Sequence, residues 1–164
     1  MTSNYLGYHG TTRESADKIL SEQRFPFSVD DEEWLGDGVY FFENDRKQAE
    51  YWCTKVRKYK AWTVLESQIE ASKVIDLLDT ETREEFQKIA EKLKDRYHKR
   101  KDQKPRKLIN AVVLNAMYKI APYDMVRAAF VIPRGHTVYR TNIEPIHIQL
   151  CVRNHSCIKT IREA

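Results

Sequence analysis

Two short segments carry groups suited to a flat, polar heterocycle: Tyr8-His9-Gly10-Thr11-Thr12 and Leu35-Gly36-Asp37-Gly38-Val39-Tyr40-Phe41-Phe42. A strand ending in His9-Gly10 sets an imidazole at the rim of a cleft. The glycine lets a ligand approach the backbone closely, because no Cβ intervenes. The imidazole can bond a sugar hydroxyl, and the Gly10 N–H and C=O can bond a carboxamide from both sides. On its own the pair also reads as a plain turn at a strand end. Gly36 and Gly38 precede an aromatic strand, and Tyr40 and Tyr51 fall at its start and in the helix after it, so both rings can face one pocket. Rings flanking a heterocycle contribute roughly 0.5–1.5 kcal/mol per ring pair beyond area burial. The same tyrosines also read as core residues with satisfied hydroxyls.

These segments need elements to hold them. Asn4 to His9 reads as a strand, and Thr12 caps a helix carrying Ala16, Ile19 and Leu20 on one face. Phe25 to Trp34 is an irregular, acidic loop. Val39 to Phe42 is a strand, followed by a helix from Asn44 or Asp45 to about Lys60 with Ala49, Trp52, Cys53 and Val56 inward. Trp62 to Ile69 alternates as a strand, and Lys73 to Leu77 forms another. Asp79 and Thr80 open a long helix with Phe86, Ile89, Ala90 and Leu93 on one stripe, and a further helix covers Lys107 to Ile120. Met125 to Ile132 and Ile146 to Arg153 return to strands. Helices in the middle and strands at both ends predict a single α+β domain over residues 1–164.

At 164 residues and 41% hydrophobic, the chain has enough apolar material for one core. The net charge of +4 is modest, but it is unevenly spread. From Glu91 to Lys107 nine Lys and Arg residues, Lys99 and Arg100 among them, face only Glu91, Asp95 and Asp102. That segment is either the wet face of a helix or a patch for a polyanion, with RNA or DNA and an acidic protein as candidate partners. Met1 to Tyr8 is polar, an opening that predicts no secretory leader, and the apolar runs are too short to span a bilayer. Three cysteines without paired ligand spacing fit reduced thiols in a cytoplasmic protein and predict no metal site.

Together the two segments resemble the poly(ADP-ribose)-polymerase-like branch of the ADP-ribosyltransferases. Its pattern is a His-Gly turn after the first strand, a Gly-x-Gly-[Ile/Val]-Tyr-Phe strand, a helix with Ala-x-Tyr, and a third catalytic position on a late strand. The matching residues are His9-Gly10, Gly36-Asp37-Gly38-Val39-Tyr40-Phe41 and Ala49-Glu50-Tyr51, with no gap from Gly36 to Tyr51. The resemblance implies a split, mostly antiparallel β-sandwich with flanking helices and a cleft between its two sheets. The helices at about 79–120 have no counterpart in the pattern and are expected as an insertion.

By this resemblance NAD+ is the co-substrate. His9 holds the adenine-side ribose, the Gly10 backbone (with Thr11 beside it) holds the nicotinamide amide, and Tyr40 and Tyr51 sandwich the nicotinamide ring. Gln48 stands where the family carries a small hydroxyl residue. The third position departs from the pattern: Gln149 in Gln149-Leu150-Cys151-Val152 replaces the family's glutamate. A carboxylate there stabilises positive charge as the glycosidic bond lengthens. A glutamine orients a hydroxyl but supplies no full charge and no base, which favours single transfers over chain elongation. Glu144 is the nearest spare carboxylate, and His147 alternates with Gln149 on the strand. His136 lies in the loop before it.

The expectation from family and size together is a mono-ADP-ribosyltransferase resembling bacterial toxins and phage-defence enzymes. Its acceptor is RNA or another nucleic acid, or else a protein, and an antitoxin is a candidate restraint. NAD+ hydrolysis and a degenerate module that binds without turnover are the alternatives. An RNA phosphate-transferring family that shares the fold ranks last.

Overall fold

In a computed structural model, residues 1–29, 34–98, 110–132 and 145–164 are described, with the backbone alone for 95–98. The chain runs β1 (Ser3–Thr12), α1 (Arg13–Glu22), β2 (Val39–Glu43), α2 (Arg46–Tyr51), a π-helical segment (Trp52–Val56), β3 (Trp62–Ala71) and β4 (Val74–Asp76). It continues through α3 (Thr80–His98), α4 (Asn110–Ile120), β5 (Met125–Val131), β6 (Ile146–Val152), a 3₁₀ turn (His155–Cys157) and β7 (Arg162–Glu163). The strands join in the order β4-β5-β6-β2-β1-β3-β7. Among the described strands only β4 and β5 run parallel. The class is therefore α+β with a mostly antiparallel sheet.

Local chemistry explains the ends of the elements. The Thr12 side chain accepts the Ser15 N–H at 3.2 Å and caps α1, while Asp45 Oδ1 accepts the Gln48 N–H at 2.9 Å and caps α2. Asp79 accepts the Thr82 N–H at 2.8 Å ahead of α3. Along the strands successive side chains alternate between two cores. Val39, Phe41, Leu150 and Val152 pack with Ala16 and Ile19 of α1. Tyr40 and Cys151 pack with Phe86, Val113 and Leu114 of α3 and α4. Each fully buried Leu, Ile or Phe contributes about 1.5–3 kcal/mol, so both faces of the sheet are held by apolar burial.

Two separate sheets were expected, and the strands instead form one sheet with a narrow waist. β1 is paired with β3 from Ser3↔Ala71 through Thr12↔Trp62, and β2 with β6 from Val39↔Val152 through Phe42↔Gln149. Between β1 and β2 the only pairs are Gly7↔Glu43 and Tyr8↔Phe42. Continued at that register, the ladder would set Gly10 opposite Tyr40. Instead β1 follows β3, β2 follows β6, and the sheet opens between them.

The expected helix from Asp45 to about Lys60 is shorter and changes character. The α-helix ends at Tyr51, a π-helical segment takes over through Val56, and Lys58 adopts a left-handed φ of 53°. Ala49 and Cys53 are buried as expected, whereas Val56 is 49% exposed. β7 was not expected. Charged side chains hold it, with Arg13 donating to Glu163 at 2.7 Å and Arg162 paired with Glu66. No helix among the described residues is long and apolar enough to cross a membrane.

Candidate functional site at the opened seam

A cavity of about 270 Å³ fills the place where β1 and β2 part. His9, Gly10 and Thr11 line it from β1, Tyr40 and Phe41 from β2, and Gln149 from β6. Pro26, Ser28 and Trp34 contribute from the loop before β2, and Trp52, Arg57 and Tyr59 from the segment after α2. Among the described residues that line it there is no Asp or Glu.

His9 bridges the gap that the ladder leaves. Its Nδ1 lies 2.7 Å from the Tyr40 carbonyl oxygen. A carbonyl only accepts, so Nδ1 carries the proton and Nε2 keeps its lone pair. The ring stands edge-on to Phe25 and Phe41, with centroids 5.0 and 5.8 Å away. Desolvation in this apolar clamp pushes the imidazole pKa below 6.5, and the bond to Tyr40 only partly offsets it. His9 is thus neutral at pH 7, with Nε2 an acceptor.

Gly10 does something different from what its sequence context suggested. A Cβ there would lie 2.6 Å from the Ala49 carbonyl oxygen and 2.6 Å from the Cys53 sulfur. The missing side chain therefore lets α2 sit directly on β1. The backbone groups face another way. Leu6 O accepts from Asn44 N on the β2 side, so by strand alternation the N–H and C=O of Tyr8 and Gly10 also point toward β2. At Gly10 the partner strand has left, and these two groups face the seam.

Tyr40 is fixed by the loop that precedes it. Its hydroxyl donates to Gly36 O at 2.6 Å and accepts from Leu35 N at 2.9 Å. That loop turns through Gly36, whose φ of 82° suits a residue without a Cβ. Tyr40, one of the lining residues, is thereby held in place.

Gln149 reaches the cavity from the other side of β2, its Nε2 2.9 Å from Nε2 of His147. His147 is 8% exposed and stands edge-on to Phe42 at 5.2 Å, with Phe130 at 6.0 Å. Its Nδ1 is buried with no hydrogen-bond partner among the described residues. Desolvation lowers its pKa, with nearby Asp45 opposing.

The expected site residues thus divide. His9, Gly10, Thr11, Tyr40 and Gln149 come together, and His147 sits directly behind Gln149. Tyr51 does not enter. It is 46% exposed and outside the lining, because the helix turns Ala49 and Cys53 toward the sheet and carries Tyr51 away from the cavity. Gln48, in the first turn of α2, is likewise outside the lining. Lys99, Arg100, His136 and Glu144 lie outside the described residues.

The sequence reading missed Trp34, Trp52, Arg57 and Tyr59. The signal was present in Lys55-Val56-Arg57-Lys58-Tyr59-Lys60, a basic run with aromatic residues at hand, which had been assigned to the end of a helix.

No family model matches the chain, and no solved structure matches it. The chain is 29% identical over 184 aligned positions to an uncharacterized protein of Methanocaldococcus jannaschii, an alignment covering 94% of this chain and 84% of that protein.

Proposed function

We propose that the chain is an NAD+-consuming mono-ADP-ribosyltransferase of the poly(ADP-ribose)-polymerase-like type, with His9, Tyr40 and Gln149 as its catalytic set. The observation that carries the reading is the opened β1–β2 seam, where His9 is locked to the Tyr40 carbonyl at 2.7 Å and Gln149 closes the far wall. The donors and acceptors there suit a dinucleotide. Nε2 of His9 can accept from a ribose hydroxyl, and the Gly10 N–H and C=O are complementary to a carboxamide. Tyr40 offers one aromatic wall. The opposing ring comes from Trp52 or Tyr59 in place of Tyr51. At about 270 Å³ the cavity falls just below the roughly 300–1,000 Å³ of sites for drug-sized ligands, so it takes one half of NAD+ and leaves the rest along the rim.

NAD+ itself supplies the reactive bond, that between nicotinamide and ribose. The residues of the chain bind, orient and exclude water. Gln149 orients a ribose hydroxyl through its amide, and its neutrality favours one transfer over polymer growth. The acceptor favoured here is a nucleic acid, RNA above all, and the setting is a toxin or phage-defence enzyme restrained by an antitoxin. The ADP-ribosyltransferase fold belongs to the same proposal, supported by the waist at which β1 and β2 part within the one sheet. Gln149, standing on the cavity wall where the pattern carries a glutamate, favours a second reading, a module that binds NAD+ without turnover.

The test is nicotinamide release from labelled NAD+, with and without RNA, single-stranded DNA and cell lysate, for wild type, His9→Ala and Tyr40→Ala. Release with label on one macromolecule, lost in both variants, supports the transferase and identifies its acceptor class. Free ADP-ribose formed without any acceptor points to a glycohydrolase. Binding without release points to the second reading.

A further inference from the structure

We infer that Trp52, Arg57 and Tyr59 form a phosphate subsite at the rim of the cavity. The Arg57 guanidinium carbon lies 6.0 Å from the Trp52 ring centroid and 5.7 Å from that of Tyr59, and its Nε donates to the Tyr59 hydroxyl at 3.1 Å. Two rings and one hydrogen bond therefore hold a planar cation at the cavity mouth. Its terminal nitrogens, four N–H donors, have no acceptor among the described residues. A guanidinium held in this way presents a preformed fork that matches two phosphate oxygens.

The surroundings carry the same sign. Lys55, Lys58 and Lys60 are exposed beside Arg57, and none of the four forms an ion pair among the described residues. Glu50, the closest carboxylate in sequence, is already engaged by Arg46 at 3.1 Å. Arg57, on the border of an aromatic cavity and without an ion pair among the described residues, suits the phosphates of a ligand whose ring end lies inside. The inference rests on the nucleotide reading of the cavity and adds the place where the phosphates go. They are either the diphosphate of a dinucleotide or the backbone of a nucleic-acid strand that enters the same mouth.

The experiment is equilibrium binding to wild type, Arg57→Ala and Arg57→Lys, all folded by thermal unfolding. The probes are ADP-ribose, inorganic pyrophosphate, nicotinamide and a single-stranded RNA oligonucleotide. The expected result is that Arg57→Ala weakens ADP-ribose about tenfold or more, leaves nicotinamide within about twofold, and is partly rescued by lysine. If only the oligonucleotide weakens, the subsite stands and its phosphates are those of a strand. If wild type binds pyrophosphate or the oligonucleotide through Arg57 but neither ADP-ribose nor nicotinamide, the NAD+ reading fails and the subsite survives. The inference is overturned if Arg57→Ala changes no phosphate-bearing probe, if it weakens nicotinamide as much as ADP-ribose, or if wild type binds none of the probes.

Discussion

Gln149 donates its side-chain N–H to Nε2 of His147 across 2.9 Å, on one face of β6. The histidine is neutral and confined by Phe42 and Phe130, so the amide is held in one orientation and its carbonyl oxygen remains available to a ligand hydroxyl. On the proposed transferase reading, a glutamine at this position keeps the positioning that a carboxylate would give and lacks its charge. Gln149→Glu is therefore expected to raise the rate of nicotinamide release by about tenfold or more, the scale of one well-placed electrostatic group. Turnover measured under saturating NAD+ checks this, and a rate equal to wild type would show that charge at this position is immaterial. His147→Phe keeps the packing and removes the acceptor, so kcat should fall with little change in KM.

The two buried imidazoles carry a pH signature. His9 and His147 both titrate below 6.5 in the folded chain, chiefly because burial disfavours the cation. Their stabilising contribution is complete above about pH 6.5 and is lost as the pH falls through the lowered folded-state values. Chemical denaturation between pH 5 and 8 should show stability declining on the acid side, with a shallower decline in His9→Asn and in His147→Asn. Protonated His9 also loses its Nε2 lone pair, so ligand affinity should drop over the same range. A flat profile for wild type contradicts this account.

Gly10→Ala tests whether helix packing sets the glycine. A methyl group would meet the backbone of Ala49 and the sulfur of Cys53 at 2.6 Å, and backbone cannot rotate aside. Displacing α2 to make room should cost about 1–3 kcal/mol, read from urea midpoints. Cys53→Ala in the same chain should recover part of that loss, because it relieves one of the two clashes.

Across β6, Arg127 ties β4 to β2 through Asp76 at 3.0 Å and Glu43 at 2.7 Å. The Glu43 side chain is only 9% exposed. Arg127→Leu strands that charge and should cost up to about 3 kcal/mol, near the lower end for a broken buried pair. Adding Glu43→Gln should return much of the loss. A double variant no more stable than the single would show that the stranded charge is not the cause.

Much of this fold was legible in the sequence because local signals and packing agree. Thr12 caps α1 as expected, and Asp45 is the one of the two candidates Asn44 and Asp45 that caps α2. Asp79 accepts from Thr82 where Asp79 and Thr80 were expected to open α3, and the apolar stripes of α1 and α3 face the sheet. The nearness of His9, Tyr40 and Gln149 was visible only through a family pattern, since no local periodicity brings positions 9, 40 and 149 together. The waist was not legible, because a ladder that stops after two pairs leaves β1 and β2 each looking like an ordinary strand. Arg57 and Tyr59 were missed for a geometric reason. An α-helical period carried through Lys60 cannot anticipate a π-helical segment followed by a left-handed Lys58. The resulting turn brings Arg57 and Tyr59 to the cavity and leaves Val56 outside.

The waist also determines how the domain breathes. Each half of the sheet is knitted along whole strands, whereas the join is two pairs and one imidazole wide. Local opening takes the least stable route, so amide exchange should be fastest beside the cavity, with both flanking ladders still protected. A ligand that touches His9 on one side and Gln149 on the other supplies the missing rungs. Such a ligand fastens two leaves into one cooperative unit, and the heat resistance of the domain becomes a direct readout of occupancy.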